Sequence, residues 1–243
     1  MRAVTLAVAC ALVAGCGGAP TGPTVDAARI GGRLSRTRFM AFGDSLTVGE
    51  VTNPRAQFDS QRSTPMVAVP AASYPVQLQG LLRARYPGQA SEITVANAGA
   101  GGERLTAAML RFEEALNAHR PEVVLLMEGV NDLGSLGPEL STDILQSMAQ
   151  QALSRNVRVF LASMLPTRAG GRLSQSVPTL LLMNTKLQAM AVQKGLVYVD
   201  LYDTLLPEVD AIIGADGLHP TEAGYRRVAD VFLGAIIGDL EGR

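Results

Sequence analysis

The sequence predicts a three-layer α/β/α domain on a five-stranded parallel sheet. Three observations predict it: five short apolar runs, amphipathic stretches lying between them, and short connections joining the two. The runs are Arg38–Phe42, Ile93–Ala96, Val123–Met127, Val157–Ala162 and Leu196–Leu201. Several are continuous and rich in Val and Leu, as expected of strands covered on both faces.

Each intervening stretch has a helical apolar face. Leu105, Met109, Phe112 and Leu116 recur at spacings of four, three and four, and Leu140, Ile144 and Met148 at four. Leu180, Met183, Leu187 and Met190 continue the pattern, and Tyr225, Val228, Phe232 and Ile236 close it. Such faces must cover one side of the sheet, so they are assigned to the core and not to a cofactor groove. The one long irregular stretch runs from Glu50 to Ser73 and contains Pro54, Pro65 and Pro70. Loops of this length inside compact domains usually serve function, and this one follows a candidate nucleophile, so it is read as substrate rim. No internal repeat or second folded domain is evident.

Composition narrows the function. Apolar residues make up 47% of the 243 and charged residues 18%, a balance that favours a folded globular chain over a disordered one. Tryptophan is absent, aromatic content is 5% and the formal net charge is −1 with no basic run. A base-stacking or phosphate-binding surface is therefore not expected, and nucleic acid is excluded as a partner.

The first twenty residues, MRAVTLAVACALVAGCGGAP, read as a targeting segment. Arg2 precedes an apolar stretch from Ala3 to Ala14, which is too short to cross a bilayer and suits an export signal. It ends in Val13-Ala14-Gly15-Cys16, which resembles the bacterial lipobox. In such signals the cysteine is lipidated and becomes the new N terminus. An ordinary secretory signal with an incidental cysteine is the alternative; lipidation is favoured. The expected organisation is a lipoprotein signal over 1–15, a lipidated Cys16 and tether over 16–36, and a catalytic domain over 37–243. Residues 17–36 are rich in Gly, Pro and Thr and reach roughly 25 Å as a random coil. The expected location is the bacterial cell envelope, membrane-anchored through lipid. Cys10 and Cys16 are the two cysteines of the chain, so a disulfide framework and a cysteine-based metal site in the catalytic region are excluded.

Four polar motifs fall at strand ends, where open parallel sheets bind ligands. Phe42-Gly43-Asp44-Ser45-Leu46 follows the first strand. A serine hydroxyl becomes a nucleophile only beside a base, so it must be exposed at such a turn; Gly43 permits the sharp exit and Asp44 orders it. Asn97-Ala98-Gly99-Ala100-Gly101-Gly102-Glu103 lies between a strand and a helix, and its glycines expose backbone N–H groups to negative charge. A dinucleotide-binding fingerprint would need a further glycine where Arg104 stands. Gly129-Val130-Asn131-Asp132 follows the third strand; Asn131 either donates to an oxyanion or only builds a turn. Asp216-Gly217-Leu218-His219-Pro220 precedes the last helix. Histidine is the usual base near neutral pH. The other histidine, His119, belongs to a polar helix end, so His219 takes the base assignment by elimination. Asp216 can fix its tautomer, or else only shape the turn.

The order of these motifs resembles the SGNH/GDSL hydrolase family from about Thr37 to the C terminus. The resemblance implies an SGNH-hydrolase, flavodoxin-like architecture and no cofactor. By position it makes Ser45 the nucleophile, His219 the base and Asp216 the partner acid. It also implies an oxyanion hole from the N–H groups of Ser45 and Gly102 and the Asn131 amide. Glu103 stands where many members have aspartate. The absence of a Gly-x-Ser-x-Gly pattern argues against the ordinary α/β-hydrolase family.

The expected function is hydrolysis of a carboxylic ester, with a lysophospholipid, a short acyl ester or an O-acetyl glycan as substrate. The loops expected to shape the pocket are Glu50–Ser73, Leu133–Glu139 and Thr167–Val177. A non-catalytic envelope lipoprotein binding glycans through a degenerate hydrolase site is the rival from another class. A metal-dependent hydrolase fails for want of a ligand set, so no metal is expected. No obligate protein partner is evident.

Overall fold

The computed structural model describes residues 32–52 and 66–242. The expected signal over 1–15, Cys16, most of the expected tether and the middle of the Glu50–Ser73 stretch lie outside the described residues.

A five-stranded sheet carries the domain. It comprises β1 (Arg38–Gly43), β4 (Thr94–Gly99), β5 (Val123–Met127), β6 (Arg158–Ala162) and β7 (Val197–Val199), in the order β4-β1-β5-β6-β7. Every pairing is parallel. This is the flavodoxin-like arrangement, whose connections change direction between β1 and β5 and so open a crevice at the strand ends there. All five residues of β5 are buried, as are Phe39–Gly43 of β1, which explains why these strands read as unbroken apolar runs.

Helices cover both faces. α2 (Tyr74–Arg85) and α8 (Glu222–Leu240) pack together on one side, where the rings of Tyr74 and Phe232 stack with centroids 5.1 Å apart. α3 (Leu105–His119), α4 (Gly137–Leu153) and α5 (Val177–Lys194) form the opposite layer, with Phe112 edge-on to Phe42 of β1 at 4.9 Å. Short helices α1 (Ser45–Val48), α6 (Leu201–Leu205) and α7 (Val209–Ile212) sit in the connections.

The expected helical faces of α5 and α8 are buried in full. In α4 the register differs: Leu140 is 49% exposed, and the inward residues are Ser141, Ile144, Leu145 and Met148. Leu140 lies in the first turn, one position off the buried row of Ser141, Leu145 and Met148, so its side chain faces outward. β4 runs further than expected, through Asn97 to Gly99, so the second polar motif begins inside a strand. β7 is shorter, and Leu201 opens α6.

Helix α2 has no counterpart in the sequence reading. Gln77, Gln79 and Gly80 dilute its pattern, and its inward residues Tyr74, Leu78 and Leu82 show one face only once α8 is in place. The stretch expected to be irregular from Glu50 to Ser73 contains an antiparallel hairpin of β2 (Glu50–Thr52) and β3 (Met66–Ala68).

Residues just before β1, within the expected tether, are packed. Leu34 is buried, exchanges hydrogen bonds with the Gln89 side chain and bridges to Glu241. Arg36 donates to the Glu122 and Asn156 carbonyls. The chain thus enters the domain at the edge where the strands begin.

Candidate active site

The nucleophile turn follows from how tightly β1 meets β5. Gly43 pairs with Met127, and a methyl group at Gly43 would collide with the Met127 carbonyl and the Thr47 hydroxyl. The chain then turns at once into α1, capped by Asp44, whose Oδ1 accepts from the Leu46 N–H at 2.9 Å. Ser45 opens this helix at the strand end.

The His219 loop meets it from the other end of the sequence. Ser45 Oγ lies 2.9 Å from His219 Nε2, and His219 Nδ1 lies 2.6 Å from Asp216 Oδ2. All three residues are buried. Asp216 Oδ1 also accepts from the Leu218 and His219 N–H groups at 3.1 and 3.0 Å. Burial alone would push the Asp216 carboxyl up, but the His219 ring and these N–H donors hold it below the ordinary carboxylate range. An ionised Asp216 accepts the hydrogen bond of Nδ1–H, so the proton stays on Nδ1 and Nε2 is left as an acceptor facing Ser45. Gly214 N–H donates to the His219 carbonyl at 2.7 Å, closing the loop on itself. His119 is exposed at the end of α3, remote from this pair in the fold.

The second and third motifs are tied together. Gly102 has φ +68°, a left-handed conformation that glycine adopts without strain. Among the described residues, neither the Ser45 nor the Gly102 N–H has an acceptor. Asn131 Nδ2 donates to the Glu103 carbonyl at 2.9 Å, which uses one of the two hydrogens of its amide. Asp132 Oδ2 accepts from the Leu105 N–H at 2.9 Å and so caps α3, whose own N-cap, Arg104, supplies no side-chain bond. Asn131 and Asp132 therefore do more than build their own turn: both grip the Gly102–Leu105 segment.

Three groups at the site escaped the sequence reading. Arg111 of α3 pairs with Glu103 and sits beneath the nucleophile turn. Its signal was a cation on an inward helix face, between Ala108 and Ala115. Glu128 follows Met127, so it flanks Asp44 on the neighbouring strand end. Burial first, then the Asp44 charge, pushes its carboxyl well above the ordinary range. Gly171 lies against Gly217, and the N–H groups of Arg168 and Arg172 donate to the Gly217 and Asp216 carbonyls at 3.1 and 3.0 Å. The Thr167–Val177 loop, expected to shape the pocket, thus also braces the turn that carries Asp216.

Known proteins share this architecture. The chain is 24% identical over 225 residues to an acetylxylan esterase of Xylanibacter ruminicola, covering 82% of this chain and 43% of that protein. It thus spans less than half the length of that relative. A lipase/acylhydrolase from Enterococcus faecalis superposes with a TM-score of 0.66 at 21% identity, over 85% of this chain and 98% of its own. A catalytic mutant of an acetylxylan esterase from Geobacillus stearothermophilus superposes with a TM-score of 0.66 at 20% identity, over 84% and 94%. The sequence model of the GDSL-like lipase/acylhydrolase family matches residues 41–227, the span that holds all four motifs. The chain belongs to this GDSL-like lipase/acylhydrolase (SGNH/GDSL) family.

Proposed function

We propose that this domain cleaves small acyl esters, acetyl groups on sugar hydroxyls foremost, by acyl transfer through Ser45. The observation that carries the reading is the Ser45–His219 contact of 2.9 Å, with Asp216 behind it at 2.6 Å. Ser45 Oγ bonds to the acyl carbon while its proton passes to His219 Nε2. The carbonyl oxygen becomes an oxyanion held by the Ser45 and Gly102 N–H groups and the remaining hydrogen of the Asn131 amide. His219 then gives its proton to the departing alcohol oxygen as that C–O bond breaks. Water repeats the sequence on the acyl-enzyme, releasing the acid and restoring the Ser45 hydroxyl. Asp216 stays ionised throughout and stabilises the imidazolium.

The names of the two acetylxylan esterases favour a sugar acetyl ester over the lysophospholipid and longer-chain readings. The test is a panel of chromogenic esters from acetate to palmitate, run beside acetylated xylan and lysophospholipid, with wild type and Ser45→Ala. Acetate and acetylated glycan are expected to turn over fastest, an organophosphonate to label Ser45, and Ser45→Ala to be inactive. Full activity in Ser45→Ala, with label on another serine, would sink the mechanism. Binding of glycan with no turnover of any ester would favour the non-catalytic lipoprotein instead. The export-like first twenty residues and the Val13–Cys16 segment support a lipid on Cys16 and a place in the cell envelope.

A further inference from the structure

The three donors of the proposed oxyanion hole come from three separate segments, and one side chain bonds to two of them directly and reaches the third through Glu103. Arg111 Nε donates to Glu103 Oε1 at 2.8 Å, and its Nη2 also pairs with Glu103 Oε2. Nη1 donates to the Ala98 carbonyl at 2.8 Å and Nη2 to the Gly43 carbonyl at 3.3 Å. The guanidinium plane lies over the Phe42 ring, 4.1 Å from its centroid.

Each partner leads to the hole within a few bonds. Gly43 precedes Asp44 and Ser45, and its carbonyl also accepts from the Ala100 N–H at 2.9 Å. Glu103 follows Gly102 directly, and its carbonyl is the acceptor for the Asn131 amide. Ala98 is the penultimate residue of β4, from which the glycine loop departs. We propose that Arg111 is the positioning residue of the oxyanion hole, fixing the Ser45, Gly102 and Asn131 donors to one rigid fork on α3. This rests on the acyl-transfer reading of the site. Glu103 works with it: its side chain holds the fork while its carbonyl holds Asn131. The position following Gly102, where the family resemblance marks a departure from aspartate, becomes the hinge of the assembly.

The physical case is that a donor helps the transition state only if it is already aimed when charge develops. The glycine loop has little side-chain packing of its own: Gly101 and Gly102 are exposed, and a methyl group at Gly102 would meet nothing. Its position must come from the bonds made by its neighbours. Arginine suits the task because its planar fork of five N–H donors reaches four acceptor oxygens on three residues, more than the three N–H groups of an ammonium can serve.

The experiment compares Arg111→Met, Arg111→Lys and Glu103→Gln with wild type and Asn131→Ala, all as the full chain. Wild-type turnover and Ser45 labelling are measured first, so failure of the acyl-transfer reading shows there and not in the variants. Arg111→Met is expected to lower kcat by roughly tenfold to a hundredfold, with KM within about threefold, because aim is lost but ground-state binding is not. The acid limb of the pH–rate profile should stay where wild type has it, since His219 and Asp216 are untouched. Arg111→Lys should fail to restore kcat, and Glu103→Gln should fall between. Arg111→Met with Asn131→Ala should lose clearly less than the product of the two single losses, because part of the Arg111 effect runs through the Asn131 donor. Independent, multiplying losses, full rescue by lysine, or a kcat within threefold of wild type would overturn the proposal. If Arg111→Met does not fold, the lysine and glutamine variants carry the same comparison.

Discussion

Asp44 shows how one buried carboxyl ties stability to the site. It caps α1 through Oδ1, while Oδ2 is buried without a partner among the described residues. Burial pushes its carboxyl up to about 7, opposed by the Leu46 N–H and the His219 charge and reinforced by Glu50 and Glu103. In the unfolded chain the same group ionises near its ordinary value of about 3.9. Its contribution to stability is therefore full below that value and is lost as pH rises toward 7. Asp44→Asn keeps a capping oxygen and carries no charge, so it should raise Tm more at pH 8 than at pH 4.5. Equal shifts at both values in a thermal melt would show that the buried charge costs nothing. The motif around Asp44 was visible in the sequence, but its perturbation was not, because its burial and the nearness of Glu50 and Glu103 arise only when distant segments pack around it.

At the level of elements, the Thr167–Val177 loop and the Asp216–His219 turn behave as one unit. A methyl group on Gly171 would stand 2.5 Å from Gly217 Cα and 3.0 Å from the Asp216 carbonyl. Gly171→Ala must push that turn aside and should lower kcat by about tenfold or more, since misplacing a catalytic group by about 1 Å is that costly. Gly80→Ala is the contrasting change: open space surrounds it in the middle of α2, and it should gain about 0.4–1 kcal/mol in urea unfolding with unchanged kcat. A silent Gly171→Ala would show that the loop gives way without moving Asp216. Long elements with a dense apolar face, such as α5 and α8, were legible because their periodicity is set by burial alone. Helix α2 and the β2–β3 hairpin were not, because short or diluted patterns acquire a face only from what they pack against.

Across the described residues, the segment leading into β1 and the site lie at opposite ends of the strands. Leu34, Gln89 and Glu241 gather where the strands begin, whereas Ser45, Gly102, Asn131 and His219 follow strand ends or sit beside them. Cys16→Ser should move the protein from the membrane fraction to the soluble one with its activity per molecule on a soluble ester unchanged. Wild type found soluble with no acyl mass at its N terminus would refute lipidation. Loss of activity on release would instead show that the anchor and the site depend on each other.

The sequence by itself determined the layer architecture, the parallel sheet and the motif order. Those features are written in local periodicity and in polar residues that interrupt buried runs, which any window of the chain displays. It also singled out His219, since the chain has two histidines and His119 sits at an exposed helix end. Tertiary structure decided the rest: the Ser45–His219 distance across 174 positions, the proton-holding neighbours Asp44 and Glu128, and the fork of Arg111 beneath the nucleophile turn. Each depends on groups far apart in the chain meeting in a space from which water is excluded, and no local pattern records which distant group will arrive there.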